Sequence, residues 1–284
     1  MFGSENVYDI LKIAEAFLEL NGLFDARPDA EILLSSVLRI ERSKLPIMRN
    51  EKLTDTQKSR YKHYILRRSR REPIAYITGF TSFMYFEFKV NKNVFIPRPE
   101  TEILVEIVLE LSKRKSKCSL LDLCTGSGCI AICLEKLGKF KNVMALDISP
   151  NALIIAKENA KINSALSIDF IESDIFNNVS DKTFDVIVAN PPYVSYEEYK
   201  LLEPELKYEP RNALIAEDNG LFFYKKIIAE ADKYLKEEGA IFVELNANKA
   251  ENIKQMFLNN GYKNVEIIKD YARLPRILRA EKKC

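Results

Sequence analysis

Hydrophobic positions recur at helical spacing three times in the first part of the chain. The first set ends before a glycine, the second begins at Asp29, and the third follows a capping box of Thr54 and Gln57 and reaches about Arg70. These stretches predict a small helical domain over residues 1–79. The apolar positions that define the first two stretches are Val7, Ile10, Leu11, Ala14, Phe17, Leu18, Ile32, Leu33, Val37 and Leu38.

A β-hairpin is predicted next, over residues 80–97. The segments SFMYFEFKV (82–90) and VFIP (94–97) are rich in aromatic and β-branched residues, and three polar residues (91–93) lie between them. We expect this hairpin to connect the helical domain to the rest of the chain.

From residue 98 to 284, strand-like segments alternate with helical ones. This alternation predicts right-handed crossovers and a mainly parallel α/β sheet with helices on both faces. The last two strands have no helix between them, so one must run antiparallel. The expected helices are 100–114, 128–137, 150–162, 220–236 and 247–259, and the expected strands are CSLLDL (118–123), NVMALDI (142–148), SIDFIES (167–173), FDVIVAN (184–190), GAIFVEL (239–245), NVEIIKD (264–270) and RILRAEK (276–282).

Composition and charge narrow the classes of protein. The 284 residues are 47% hydrophobic, no apolar run approaches the roughly 18 residues of a membrane span, and the first 20 residues do not resemble a signal peptide. The five cysteines have no CxxC spacing, so we expect neither disulfides nor a metal site, and a cytoplasmic location. The net charge of +2 argues against direct nucleic-acid binding, although RYKHYILRRSRR (60–71) concentrates positive charge. The single histidine, His63, is expected on a helix surface.

A glycine-containing turn follows the first strand of the predicted sheet. In LLDLCTGSG, Thr125, Gly126, Ser127 and Gly128 lie between that strand and a helix, where glycines let a ligand approach backbone N–H groups. The same residues also suit a tight strand-to-helix turn that binds nothing. A Walker A loop is excluded because no GK[ST] follows, and Ala131 stands where GxGxxG has its third glycine.

Acidic residues follow the next two strands. Asp147 closes NVMALDI, where a carboxylate can accept hydrogen bonds from both ribose hydroxyls of an adenosine group. Asp147 could instead cap the helix that begins near Pro150, although Ser149 could also do so. Asp174 ends the third strand at the same edge of the sheet. Strand ends that carry Gly, Asp and Asp predict a pocket at the switch point of an open sheet.

The fourth strand ends in Asn190, Pro191, Pro192 and Tyr193. Adjacent prolines have restricted φ and lack N–H donors, so the carbonyl groups before them are held without a competing local donor. A planar NH₂ group needs two in-plane acceptors, which the Asn190 side-chain oxygen and the Pro191 carbonyl can supply, and Tyr193 can stack on the flat group. The alternative is a rigid turn in which Tyr193 only fills space.

Together, LLDLCTGSG, LDIS, SD and NPPY resemble the class I S-adenosylmethionine-dependent methyltransferases that modify planar NH₂ nitrogens. The segments REPIAYITG (71–79), VFIPRPETE (94–102), EPRNAL (209–214) and KDYA (269–272) resemble the bacterial family that methylates the glutamine of the GGQ motif in class I peptide chain release factors. This likeness spans nearly the whole chain. It implies a Rossmann-like seven-stranded methyltransferase sheet, mostly parallel with one antiparallel strand, behind a helical domain and a hairpin.

The resemblance also implies roles for individual residues. Residues from Cys124 to Gly128 would surround the methionine part of the cofactor, Asp147 would hold the ribose, and Asp174 and Ile175 would border the adenine. Residues 190–193 would hold the glutamine, with Asn190 also beside the cofactor and Asn190, Pro191 and Tyr193 catalytic. Pro97, Arg98 and Glu100 would lie beside the pocket. The helices and the hairpin would dock the release factor, and we expect a monomer.

The chain departs from the family's pattern in three places. Cys124 stands where glycine is usual, and we expect its thiol to be a small filler rather than a nucleophile. LIAEDNGL (214–221) lacks glycines that the family places before this turn, and YARLPR (271–276) differs after the DYA segment. These differences affect the expected loop geometry and leave the expected chemistry unchanged.

Three other functions stay open from the sequence. A methyltransferase of a ribosomal-protein glutamine would share the whole core. An adenine-amine methyltransferase of DNA or RNA could use the same NPPY, with the basic run at 60–71 contacting phosphates. A scaffold without catalytic activity is the third.

Overall fold

The computed structural model describes residues 6–114 and 118–282, and their contacts divide the chain into two compact units. The first unit contains residues 1–79 and 203–208, and the second contains residues 80–202 and 209–284. The helices are α1 (Val7–Leu20), α2 (Ala26–Leu38), α3 (Asp55–Arg68), α4 (Ile74–Thr78), α5 (Pro99–Arg114), α6 (Cys129–Leu137), α7 (Pro150–Ile162), α8 (Tyr196–Leu201), α9 (Arg211–Leu214), α10 (Glu217–Gly220), α11 (Phe222–Tyr234) and α12 (Ala250–Asn259). The strands are β1 (Phe80–Phe83), β2 (Phe86–Lys89), β3 (Cys118–Leu123), β4 (Phe140–Asp147), β5 (Ile168–Glu172), β6 (Phe184–Ala189), β7 (Leu235–Glu244), β8 (Lys263–Lys269) and β9 (Pro275–Glu281).

The predicted helices of the first unit are present, and the capping box of Thr54 and Gln57 begins α3 as expected. Helix α2 begins at Ala26, three residues before the predicted start at Asp29. Pro28 lies in the first turn of this helix, where its missing N–H has no helical partner to lose. Buried Ala26 thereby extends the apolar face, which packs with α1 and α3 into a single core.

A segment from far along the chain completes the first unit. Residues 203–208 contain a 3₁₀ turn, Pro204–Tyr208, in which the Glu205 carboxylate lies 3.0 Å from the Arg68 guanidinium and 2.8 Å from that of Arg71. The hydroxyl of Tyr208 donates to the backbone carbonyl of Arg70 at 2.7 Å. Three of the basic side chains that the sequence concentrates at 60–71 therefore pair with acidic side chains within the unit, because Arg67 also pairs with Glu72.

The hairpin differs from its prediction. Its strands are β1 and β2, and its tight turn is at Met84 and Tyr85. The turn at 91–93 is therefore not the turn of the hairpin as expected, and the expected strand at 94–97 is wrong. Residues 91–93 close a separate turn, in which the Asn91 side chain accepts from the Asn93 N–H at 2.9 Å. Two prolines close behind this turn remove the donors that a paired strand needs.

The second unit contains the predicted seven-stranded sheet, in the order β5-β4-β3-β6-β7-β9-β8. Strand β9 runs antiparallel to both of its neighbours and the remaining contacts are parallel, so the expectation of one antiparallel strand is confirmed. Apolar clusters cover both faces of the sheet, as a mainly parallel sheet requires. Within the described ranges, no helix combines the length and apolar character needed to cross a membrane.

Candidate active site

The predicted site residues meet at one edge of the sheet. Strands β3, β4, β5 and β6 are parallel neighbours, with Leu123 level with both Leu146 and Ala189, and Asp147 level with Glu172. Their carboxyl ends therefore lie side by side. The four segments that follow these strands contain residues 124–128, Asp147, residues 174–175 and residues 190–193.

The loop after β3 has left-handed backbone at three positions. Cys124, Gly126 and Gly128 have φ values of +59°, +54° and +81°. A Cβ on Gly128 would lie 3.1 Å from Ala156 Cβ, whereas a Cβ on Gly126 would meet nothing within 4 Å. Gly128 is thus needed for close packing on α7, and Gly126 faces open space where a ligand can approach the backbone.

Asp147 is tied to this loop. Its carboxylate accepts from the N–H of Gly126 at 2.8 Å and from the N–H of Ser149 at 2.9 Å. Burial raises the pKa of Asp147, and these two bonds oppose the shift. The cap of α7 is Ser149, whose hydroxyl accepts from the N–H of Ala152 at 3.2 Å. The alternative prediction that Asp147 caps this helix is therefore wrong.

Sequence reasoning missed Asp122, which lies beneath the same loop. The hydroxyl of Thr125 donates to Oδ2 of Asp122 at 2.6 Å, whereas Oδ1 is buried and makes no hydrogen bond of normal geometry with any residue in 6–114 or 118–282. Burial raises the pKa of Asp122 to about 7, although the Thr125 bond and the nearby N–H of Ala131 oppose the shift. An unpaired acidic oxygen beside an open glycine loop suits a cationic ligand group.

Asp174 and Ile175 lie beyond the end of β5. Asp174 is partly exposed, and its carboxylate is 3.0 Å from the ammonium of Lys226 on α11, a partner that no sequence pattern indicated. Ile175 is buried in the core with a φ of +51°, which is rare for a β-branched residue. Asp174 and Ile175 thus follow the carboxyl end of β5, at the same edge of the sheet as the glycine loop.

The NPPY segment follows β6, and the amide of Asn190 is oriented by a hydroxyl. Its Nδ2 donates to Oγ1 of Thr101 at 3.3 Å, and Thr101 donates to the carboxylate of Glu244 at 2.7 Å. The Asn190 side-chain oxygen accepts no hydrogen bond from the described residues, so it is available to a ligand. Both prolines are buried, and Tyr193 is partly buried, which raises its pKa.

The loop around α10 supports Tyr193. A Cβ on Gly220 would lie 2.3 Å from the Tyr193 carbonyl oxygen, so only glycine fits there. The two residues before it, Asp218 and Asn219, also have left-handed backbone, which these residue types tolerate better than most. The chain therefore forms this loop despite the glycines it lacks.

The loop before α5 is fixed by an ion pair. The Arg98 guanidinium pairs with the buried carboxylate of Glu209, which also accepts from the N–H of Ile96 at 2.9 Å. Pro97 in this loop is buried and Glu100 is exposed. The loop leads directly into Thr101, so the first turn of α5 reaches Asn190.

Family comparisons agree with this architecture. Residues 9–79 match the PrmC N-terminal domain, and residues 88–205 match the Methyltransferase small domain. A solved methyltransferase from Pyrococcus furiosus is 18% identical with a TM-score of 0.55, over 81% of this chain and all of that chain, which shows a shared fold.

Two relatives are much more similar in sequence. A release factor glutamine methyltransferase of Thermodesulfovibrio yellowstonii is 40% identical over 89% of this chain and 92% of its own length. One of Fusobacterium nucleatum is 35% identical over 99% of this chain and 80% of its own length. Identity of this extent, over most of both chains, means that the chain belongs to the release factor glutamine methyltransferase family.

Proposed function

We propose that this protein transfers a methyl group from S-adenosylmethionine to the side-chain amide nitrogen of the glutamine in the GGQ motif of class I peptide chain release factors. The observation that carries the proposal is the Asn190 amide, which turns its NH₂ toward Thr101 and leaves its oxygen available beside the Pro191 carbonyl. Residues 98–284 form the methyltransferase domain, and residues 1–79 with the 80–97 connection dock the release factor.

The residues at the sheet edge fit the cofactor. The loop 124–128 would hold its methionine part, and the unpaired Asp122 oxygen buried beneath this loop would attract the ammonium group. Asp147 would accept from the ribose hydroxyls, and Asp174 and Ile175 would border the adenine. When bound, S-adenosylmethionine supplies an electrophilic methyl group on a sulfonium.

The NPPY residues perform most of the chemistry by orientation. An amide nitrogen is a weak nucleophile, and holding it in an attack geometry can lower the barrier by about 7–11 kcal/mol at best. As the nitrogen gains positive charge, its hydrogens bind the oxygens of Asn190 and Pro191 more strongly, which stabilises the transition state preferentially. Tyr193 orients the flat amide. The methylated nitrogen is very acidic, so water or a carbonyl can accept its proton without a strong base.

The ion pairs of the basic run at 60–71 argue against a nucleic acid as the methyl acceptor. Arg67, Arg68 and Arg71 each pair with an acidic side chain of the first unit. A cation that already has a carboxylate partner releases fewer counterions on phosphate binding, and so contributes less to nucleic-acid affinity.

The test is methyl transfer from labelled cofactor to separate acceptors. We expect label on a release factor and none on its variant with the GGQ glutamine replaced by alanine. Ribosomal proteins, DNA and RNA are assayed in parallel with the same enzyme. Equal labelling of the two release factors, or label only on another acceptor, would contradict the proposal.

A further inference from the structure

We propose that Thr101 and Glu244 form a positioning pair that sets the direction of the Asn190 amide. Its oxygen, and not its NH₂, then faces the substrate amide that receives the methyl group. The inference rests on the proposed function for its acceptor, and it concerns residues outside the NPPY corner. Thr101 lies in the first turn of α5 and Glu244 at the carboxyl end of β7, and each is 2% exposed.

The direction follows from the single proton of the hydroxyl. Thr101 donates that proton to Glu244 at 2.7 Å, so toward Asn190 the hydroxyl can only accept. The atom that satisfies it is Nδ2 of Asn190, at 3.3 Å. If the amide were reversed, the Asn190 side-chain oxygen would face Oγ1 of Thr101, and neither oxygen would have a proton to share. The ionised carboxylate thus fixes, through one hydroxyl, which face of the amide meets the acceptor.

The pair itself is held by the surrounding fold. The backbone N–H of Thr101 donates to the carbonyl of Arg98 at 3.0 Å, and the hydroxyl of Tyr224 donates to the backbone carbonyl of Glu244 at 2.8 Å. Burial of both side chains keeps water from replacing either hydrogen bond, so the order of donors is set by the protein alone.

Protonation of Glu244 would remove this control. Burial raises the pKa of this carboxyl to about 7, although hydrogen bonds from Thr101 and Tyr193 oppose the shift. A protonated carboxyl can donate to the Thr101 hydroxyl, which then becomes free to donate to the Asn190 oxygen. The amide would turn its NH₂ toward the NH₂ of the acceptor. The titratable and charged groups that face Glu244 are Glu100 on α5, Arg276 on β9, Tyr193 after β6, Tyr224 on α11 and Cys129 on α6.

Three variants separate positioning from packing. Thr101→Val keeps the shape and removes the hydroxyl, Thr101→Ser keeps the hydroxyl, and Glu244→Gln removes the titration. For Thr101→Val we expect kcat to fall by about 10²-fold, which is the rate loss expected when a reacting group is misplaced by about 1 Å. Its affinity for S-adenosylmethionine, measured by calorimetry, stays at the wild-type value and reports an intact fold. Thr101→Ser restores most of the lost kcat.

The pH profile is the second readout. Wild-type kcat should fall on the acid side with a midpoint near the Glu244 pKa of about 7, and this limb should be absent in Glu244→Gln. Wild-type kcat in Thr101→Val, equal losses in Thr101→Ser and Thr101→Val, or an unchanged acid limb in Glu244→Gln would each overturn the positioning pair.

A spectroscopic measurement keeps this inference separate from the proposed acceptor. The ¹⁵N resonance of the Asn190 side chain should titrate with Glu244 in the wild type and stay constant in Glu244→Gln. An Asn190 signal that does not respond to pH in the wild type would overturn the inference whatever the enzyme methylates. A release factor that takes no label would overturn only the proposed function, and the variants are then assayed on the acceptor that does.

Discussion

The carboxylate of Asp147 accepts a hydrogen bond from the backbone N–H of Gly126 at 2.8 Å, which joins the end of β4 to the loop after β3. One side chain therefore both shapes the glycine loop and faces the proposed ribose position. Asp147→Ala should weaken S-adenosylmethionine binding by roughly 1.5–3 kcal/mol, the value of hydrogen bonds to a charged group. Calorimetry measures this change.

Asp147→Asn is the comparison variant, because its one oxygen can still accept from the Gly126 N–H, while the charge and the acceptor for the Ser149 N–H are lost. We expect an intermediate affinity. Unchanged affinity in Asp147→Ala would reject the ribose role.

Asn190→Ala should lose methyl transfer while it retains cofactor affinity. Its amide oxygen is available to an acceptor, whereas the loop 124–128 and Asp147 are fixed by their own bonds. Removing a positioned group of this kind lowers kcat by about 10²–10³-fold. Single-turnover transfer to the release factor, with calorimetry of S-adenosylmethionine binding, separates the two effects.

The comparison variant is Asn260→Ala, which removes an exposed amide at the end of α12 and should transfer normally. Equal activity in Asn190→Ala and wild type would rule out the proposed grip on the acceptor amide.

Much of the site could be predicted because its residues follow strand ends, and strand ends are visible as breaks in an apolar pattern. The bounds of β3 and α7 agree with their predictions to the residue. Thr101 could not be found in this way. It is 89 residues from Asn190, and no periodicity marks a partner at that distance.

The hairpin shows a different limit of the sequence. Asn91 and Asn93 are typical of turns, and they do form one, but β1 and β2 are joined at Met84 and Tyr85. The inward residues Phe83 and Phe88 pack edge to face, with centroids 6.0 Å apart, and both are buried. Side-chain packing against the core thus decided the register over local turn preference.

The protein should be less stable with Cys124 than with glycine at this position. Its φ of +59° costs a residue with a Cβ roughly 1–2 kcal/mol, which glycine avoids. Burial raises the pKa of its thiol, consistent with the expected filler role. Cys124→Gly should therefore exceed Cys124→Ala in free energy of unfolding by about 1 kcal/mol, measured with urea.

The same pair of substitutions at Cys133, inside α6, should have the opposite order, with glycine less stable than alanine by about 1 kcal/mol. The same order at both positions would show that backbone strain at Cys124 is negligible.

The free energy of unfolding of the cofactor-free protein should fall as pH rises, because burial raises the pKa of Asp122. The folded state keeps this carboxyl protonated up to its raised pKa of about 7, whereas the unfolded chain releases the proton near pH 4. The folded protein thus holds an extra proton between these values, and this contribution is lost as pH approaches 7. We expect a slope of up to about 1.4 kcal/mol per pH unit, to which Glu244 adds with the same sign.

Urea titrations from pH 5 to 7 measure this slope, which Asp122→Asn should reduce. Asp185→Asn is the control. Burial opposes the shift, but bonds from Lys236 and Ser119 lower the pKa of Asp185, so it is ionised throughout this range in both states. An Asp122→Asn slope equal to that of the wild type would contradict the prediction.

Arg68→Ala should strongly destabilise the first unit. The Arg68 and Asp29 side chains are 11% and 8% exposed, and their charged atoms are 2.6 Å apart. Truncation leaves the Asp29 carboxylate buried without its cation, which costs about 3–5 kcal/mol in the free energy of unfolding. Circular dichroism in urea measures the change.

Arg42→Ala separates this effect from the loss of any surface cation. Arg42 is 49% exposed and pairs with Glu31 at 2.8 Å, and Glu31 keeps Arg27 as a second partner. Its loss should cost no more than about 1 kcal/mol. Similar costs for the two variants would mean that burial of the Arg68–Asp29 pair does not matter. A larger cost for Arg68→Ala would show that this cation of the basic run stabilises the unit from a buried position, so the positive charge of Arg68 does not indicate a nucleic-acid surface.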